Sequence, residues 1–154
     1  MPQRVIETPA ALKRFAGREI ATTEWFLVTQ DRILQFAEVS EDRQWIHVDA
    51  GRAQSQSPYS ATVAHGFLTL SLLSCFLRQA IEIRDGVRLT VNYGLNRVRF
   101  PAPVRAGSKI RARVTLLSLN ELRAGVEAVF SMFVEAEGAE KPCCVAEWVV
   151  RYYQ

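Results

Sequence analysis

Lysine is scarce in this chain and histidine scarcer, and no basic run, low-complexity tract or internal repeat appears. Of the nineteen basic residues in 154, three are lysine and sixteen arginine, and the formal net charge is only +3. Arginine makes forked contacts to carboxylates and phosphates rather than diffuse attraction. Because these arginines are scattered, nucleic acid is not an expected partner, and a small phosphate-bearing molecule suits them at least as well. The three cysteines, Cys75, Cys143 and Cys144, offer neither metal-ligand spacing nor an even disulfide framework. They read as reduced thiols in a reducing compartment, with Cys75 a small core residue. Long apolar runs are missing too. The N-terminal stretch MPQRVIETPAALKRFAGREI is too often charged to hold a signal-peptide core. Val63 to Ile83 is interrupted by His65, Arg78, Gln79 and Glu82, too polar toward its end for a membrane span. A cytoplasmic chain without membrane contact is the expectation.

What is present fits one domain, residues 1–154, at 49% hydrophobic and 23% charged. Thr8-Pro9 before AALKRF predicts a short helix ending near Gly17, and Ile20 to Val28 predicts a strand. Thr29 is placed to cap a helix whose apolar face carries Ile33, Leu34, Phe36 and Ala37 and which runs out near Ser40. Glu41 to Tyr59 is polar and irregular, apart from a short helix over Ala50 to Gln56 capped by Asp49. Long irregular stretches inside compact domains are commonly functional.

Ala64 to Ile83 predicts a long helix whose apolar residues Phe67, Leu68, Leu70, Leu72, Leu73, Cys75, Phe76 and Leu77 surround it rather than forming one stripe. Such a helix must be buried on all sides. Four strands follow, over Val87 to Phe100, Lys109 to Leu119, Gly125 to Glu137 and Cys143 to Tyr153. In the second, Ile110, Ala112, Val114 and Leu116 alternate with Arg111, Arg113 and Thr115. The expected class is α+β: a curved antiparallel sheet wrapped around a long central helix, the hot-dog arrangement. Pairing with a second copy would hide one of its sheet edges.

Only His47 and His65 supply imidazoles, and both lie in the segments just singled out. Asp42 precedes His47 by five residues. A histidine near neutral pKa beside a carboxylate can hold one water and shuttle its protons, as addition of water to a conjugated double bond requires. The same spacing is also met by a turn-capping aspartate and an ordinary loop histidine. Gly66 opens the long helix, where free N–H groups and the helix dipole stabilise an enolate oxygen; equally, it can simply let the helix begin without a clash. His65 reads as holding the loop against the helix start. Ser74, two turns beyond Gly66, either bonds back to its own helix or reaches a substrate or the loop. Cys75 lacks a neighbouring base and sits among leucines, so a nucleophilic role is disfavoured. Arg97 and Arg99 are candidates for a carrier's phosphates, and equally for solvent or a subunit contact.

The blocks DRQWIHVD (42–49) and AHGFLTLSLL (64–73), with NYGLNRVRFPAPV and KPCCVAEWVVRY after them, resemble the MaoC-like (R)-specific enoyl-CoA hydratase family, also called hydratase 2. They look like its single-hot-dog, nodulation-protein-N-like branch, and the likeness runs from about Thr29 to the C-terminus. The resemblance implies that Asp42 and His47 are the water-activating pair. By the same likeness Gly66 polarises the thioester carbonyl through its N–H and Ser74 supports the site. It implies a homodimer acting on an acyl thioester of CoA or an acyl-carrier protein, with no metal or other cofactor. Many members carry Asn-Pro where this chain has Gln44-Trp45, and bulky Trp45 is expected to line the pocket. A hot-dog thioesterase and a non-catalytic acyl-thioester-binding subunit are the alternatives.

Overall fold

A computed structural model describes residues 3–154, so Met1 and Pro2 of the N-terminal stretch lie outside it. The sheet is the frame on which everything else is hung. Strands β5 (Leu89–Arg99), β6 (Lys109–Leu122), β7 (Gly125–Ala136) and β8 (Cys144–Tyr153) pair antiparallel in the spatial order β6-β7-β8-β5. Their alternation decides which face is core. Ile110, Ala112, Val114 and Leu116 of β6 and Ala128, Phe130, Met132 and Val134 of β7 are fully buried, while their neighbours along each strand are partly exposed. Arg111–Glu135 and Arg151–Glu127 ion pairs bridge adjacent strands on the opposite face.

The strand expected over residues 20–28 is broken in two, β2 (Arg18–Thr22) and β3 (Phe26–Leu27), both paired to β6. The break has a local cause. Thr23 uses both its N–H and its hydroxyl on Ala112, donating to the carbonyl at 2.9 Å and accepting from the amide at 2.9 Å, so a side chain replaces a ladder rung. The helix expected after Thr8 is a 3-10 helix, Pro9–Phe15.

Helix α1 (Gln30–Ser40) starts as the sequence requires, with the Thr29 hydroxyl accepting from Arg32 N–H. After it come α2 (Trp45–Val48), a turn that the reading of 41–59 as irregular missed, and α3 (Ala50–Gln56), capped by Asp49. The long central helix is corrected in three respects. It begins at Gly66, ends at Ala80, and is divided at Leu72 into α4 (Gly66–Ser71) and α5 (Leu73–Ala80). At the division the Ser71 hydroxyl donates to the Leu68 carbonyl at 2.7 Å, and Leu72 N–H is shared between Leu68 and Thr69 carbonyls. Serine back-bonding of this kind bends helices. Beyond Ala80 the segment Ile81–Ile83, with a β-branched isoleucine at each end, forms β4, parallel to β1 (Arg4–Ile6).

The inner face of the sheet lies against α5, whose Leu73, Phe76, Leu77 and Ala80 join the strand residues in one core. Phe76 meets Phe26 edge-on at 6.1 Å between centroids. The helix is not enclosed on every side, however. Phe67 is 70% exposed and Leu70 only half-buried, because none of the described residues covers that flank. The described residues include no helix long and apolar enough to cross a membrane.

Candidate active site

The loop between α1 and α2 turns on Glu41, which takes the left-handed conformation at φ 60° as α1 ends. That reversal brings Asp42 back toward the chain's later segments. The Asp42 carboxylate accepts from Gln44 N–H at 3.3 Å, the local turn that aspartate favours, and it remains exposed. His47 sits in α2 and is buried. Gln30, at the start of α1, donates from its side-chain amide to the His47 carbonyl at 2.9 Å and accepts from the Thr62 hydroxyl. Val63 N–H bonds the Ile46 carbonyl at 3.0 Å. Helix α2 is thereby tied on two sides to the segment that leads into α4.

His47 Nδ1 donates to the Val63 carbonyl at 2.6 Å. A carbonyl only accepts, so the proton of the neutral ring is on Nδ1, and Nε2 carries a lone pair. Burial holds the His47 pKa below the ordinary histidine value; the Val63 hydrogen bond opposes this, neighbouring His65 reinforces it, and Asp42 opposes it. Neutral imidazole with an unspent Nε2 is the form that takes a proton from water.

His65 caps α4 and stacks on His47, with centroids 3.7 Å apart and planes 21° from parallel. Its Nε2 donates to the Asp42 carbonyl at 2.9 Å. Donor atoms of Asp42, His47 and His65 all lie within 4.8 Å of one another, the group of described residues best placed to hold a metal ion. Two features argue against that use: His47 Nδ1 and His65 Nε2 are already spent on the Val63 and Asp42 carbonyls, and the remaining lone pairs lie in two nearly parallel ring planes with centroids 3.7 Å apart, too far apart for one ion beside the rings to lie in both.

Gly66 begins α4 beside this group. A Cβ at Gly66 would lie 3.0–3.1 Å from three atoms of the Phe100 ring, so glycine is what lets Phe100, the residue just past β5, close over the helix start. The resulting cavity, about 230 Å³, has His47, Gly66, Tyr59, Thr69, Phe100 and Cys143 among its walls. The Cys143 thiol is pushed up to about 12 by burial, which makes it part of the wall rather than a nucleophile.

The other expected positions lie elsewhere. Trp45 does not reach the cavity. Its indole lies under the Arg52 guanidinium at 4.2 Å, and its neighbour Ile46 faces inward in its place. Ser74 is absent from this cavity's walls and lines two further clefts, of about 340 and 300 Å³, together with Asn92 and Trp148. The Trp148 indole N–H donates to the Asn92 side-chain oxygen there at 2.7 Å. Arg97 and Arg99 are exposed on β5 and line none of these cavities. Sequence reasoning passed over Gln30, Tyr59 and Phe100. For Phe100 a signal existed, an aromatic closing a strand just before Pro101-Ala102-Pro103. For Gln30 there was none, since its partners are 17 and 32 residues away.

Comparison with known proteins places this geometry in context. Residues 12–136 match the family described as MaoC like domain. The 3-hydroxyacyl-thioester dehydratase Z of Mycobacterium tuberculosis is 46% identical over 150 residues, covering 97% of this chain and 98% of that protein. Nodulation protein N of Rhizobium meliloti is 38% identical over 134 residues, 86% of this chain and 83% of that one. Among solved structures, an (R)-hydratase from A. caviae involved in PHA biosynthesis superimposes with a TM-score of 0.71 at 22% identity, over 88% of this chain and 96% of that one.

Proposed function

The chain belongs to the MaoC-like dehydratase family, and from that membership and the cavity at the start of α4 we propose that it adds water reversibly across the double bond of a trans-2-enoyl thioester to give the (R)-3-hydroxyacyl thioester. The observation that carries the reading is that the Asp42 carboxylate lies within 4.8 Å of a ring nitrogen of His47, while His47 and the first residue of α4 line one small, largely apolar cavity. One water is held between the Asp42 carboxylate and Nε2 of His47. A proton of that water passes to Nε2 as its oxygen bonds to C3 of the enoyl group, and the electron pair of the C2–C3 bond moves toward the thioester oxygen. That oxygen faces the Gly66 N–H, which has no acceptor within its own helix. The proton is then delivered to C2, so the sum is one water added. Dehydration is the same path reversed.

A CoA or acyl-carrier-protein thioester is the substrate class that this chemistry needs. We place the protein in a reducing compartment, the cytoplasm, in keeping with its three unpaired cysteines. Residues 1–154 form one functional unit, which works as a homodimer. Strand β5 ends the sheet order and offers its free edge, and Leu89, Tyr93 and Leu95 on it are exposed, as is Phe67 beside it. Asp42→Asn and His47→Ala each lower turnover of a short trans-2-enoyl-CoA by about two orders of magnitude or more, with the unfolding transition retained. The assay follows loss of the conjugated-thioester absorbance alongside a thiol reagent. Near-normal hydration by both variants removes these two residues from the chemistry. Thiol release without prior hydration makes the protein a thioesterase instead.

A further inference from the structure

We propose that His65 is a positioning residue for the hydration site: it fixes His47 by stacking and fixes Asp42 by a hydrogen bond, without itself carrying the proton. This rests on the reading of Asp42 and His47 given above. Three observations support it. The His65 ring lies against the His47 ring at 3.7 Å and against Phe36 at 5.0 Å, so His47 cannot tilt toward α4 without meeting a held plane. His65 Nε2–H bonds the Asp42 main-chain carbonyl at 2.9 Å, the one hydrogen bond among the described residues that runs from the Asp42 backbone to the helix start. And His65 Nδ1 is buried with no hydrogen-bond partner.

The third observation assigns the roles. A buried, unpaired nitrogen ordinarily costs about 1–3 kcal/mol, and such atoms are rare unless something else requires them. Here the requirement is the tautomer. Donating from Nε2 to Asp42 forces the lone pair of the neutral ring onto Nδ1, where His65 has neither solvent nor a hydrogen donor. A proton arriving at Nδ1 would find no acceptor either. His47 is arranged the opposite way, with its hydrogen on Nδ1 toward Val63 and its lone pair on Nε2. The two imidazoles of the chain are thus set in opposite tautomers. One can exchange a proton with a water at Asp42, and the other is walled off as a strut. The titratable groups facing His47 are Asp42 and His65 beside it, with Tyr59 and Cys143 in the cavity wall.

Two histidines make the proposal directly measurable, because imidazole nitrogen spectra contain only two spin systems. Long-range proton–nitrogen correlation of the full chain should show His47 as the Nδ1–H tautomer and His65 as the Nε2–H tautomer. Finding both in one tautomer overturns the assignment. Two variants then separate stack from hydrogen bond. His65→Phe keeps a ring on His47 and removes the donor to Asp42, whereas His65→Gln keeps a donor near the Nε2 position and removes the ring. His65→Phe should lower kcat about 10- to 100-fold with KM nearly unchanged, the scale of a misplaced catalytic group, and His65→Gln should recover part of that loss. An unchanged kcat in His65→Phe, or a loss confined to KM, overturns the positioning role. If the wild-type chain hydrates no enoyl thioester, the functional reading fails separately, while the tautomers, read without substrate, still decide the structural claim.

Discussion

Replacing Gly66 with alanine probes whether the helix start is kept bare for a reason. The new Cβ would sit 3.0–3.1 Å from three Phe100 ring atoms, about 0.5 Å inside the carbon–carbon optimum of roughly 3.5–4.0 Å. The contact is with a side chain, and Phe100 is 41% exposed, so the ring can yield outward where backbone could not. Overpacking costs ~1–3 kcal/mol, and a yielding ring puts the cost near the lower end, about 1 kcal/mol. Alanine's advantage over glycine in a helix offsets up to ~1 kcal/mol of that. Stability should therefore change by no more than about 1 kcal/mol, a Tm shift within ~4 °C for a chain of this size. Activity should suffer far more. The displaced ring belongs to the same cavity wall as His47, and an error of about 1 Å in a reacting geometry costs on the order of 100-fold. The measurement is a double-mutant cycle of Gly66→Ala and Phe100→Ala, with kcat on a short enoyl-CoA and Tm for all four proteins. If the clash is the cause, Phe100→Ala restores much of what Gly66→Ala removes. Wild-type turnover in Gly66→Ala, or losses that simply multiply, would refute the reasoning.

The His47 titration bears on both rate and stability. Its folded-state pKa lies below the ordinary value, so the catalytic neutral form persists below pH ~6.5 and the acid limb of kcat/KM should fall there. By the same shift the unfolded chain binds more protons at His47, so Tm should decline as pH falls below ~6.5, a slope that His47→Gln flattens. The buried thiols of Cys143 and Cys144, pushed up to about 12 and about 11 by burial, should resist iodoacetamide at pH 8, leaving half-buried Cys75 to react first; mass spectrometry of the native protein after brief labelling reads this, and equal labelling of all three contradicts it. For the proposed dimer, Phe67→Lys with Leu95→Lys should shift the light-scattering mass in solution from twice 17.4 kDa to 17.4 kDa; a wild-type chain already at the smaller mass refutes the assembly.

How much of this was legible beforehand follows from what leaves a periodic trace. Strands β6 to β8 were readable nearly to their ends because one face is core and the other is not, so every second residue reports. Helices α1 and α3 were readable from Thr29 and Asp49, whose caps are local chemistry. Helix α2 has four residues, too few for any period to show, and so the choice between Trp45 and Ile46 as the inward residue was beyond pattern reading. From spacing alone Asp42 and His47 read equally as a turn cap and a loop histidine, and the expectation that they share a site with Gly66 came from the likeness of two blocks to a known family, whereas the Gln30–Thr62 bridge spans 32 residues with no signal at either end. The bend at Leu72 depends on which carbonyl Ser71 chooses, and a serine in a helix does not announce its rotamer.

The central helix shows where sequence over-specifies a single chain. Its apolar residues were read as demanding burial on all sides, yet Phe67 stays 70% exposed and Leu70 half-buried, in a cleft they share with Leu95 of β5, itself 42% exposed. Burying a phenylalanine or leucine side chain contributes ~1.5–3 kcal/mol, so an isolated chain forgoes several kcal/mol along this flank. The flank is not random. It adjoins the free edge of β5 and the clefts that run from Phe67 past Ser74 to Ile83. A helix patterned for complete enclosure, an unpaired strand edge and an open apolar cleft on one side of the molecule all lack the same thing. In the proposed dimer a single second copy supplies it, and the all-round apolarity then records assembly as well as fold.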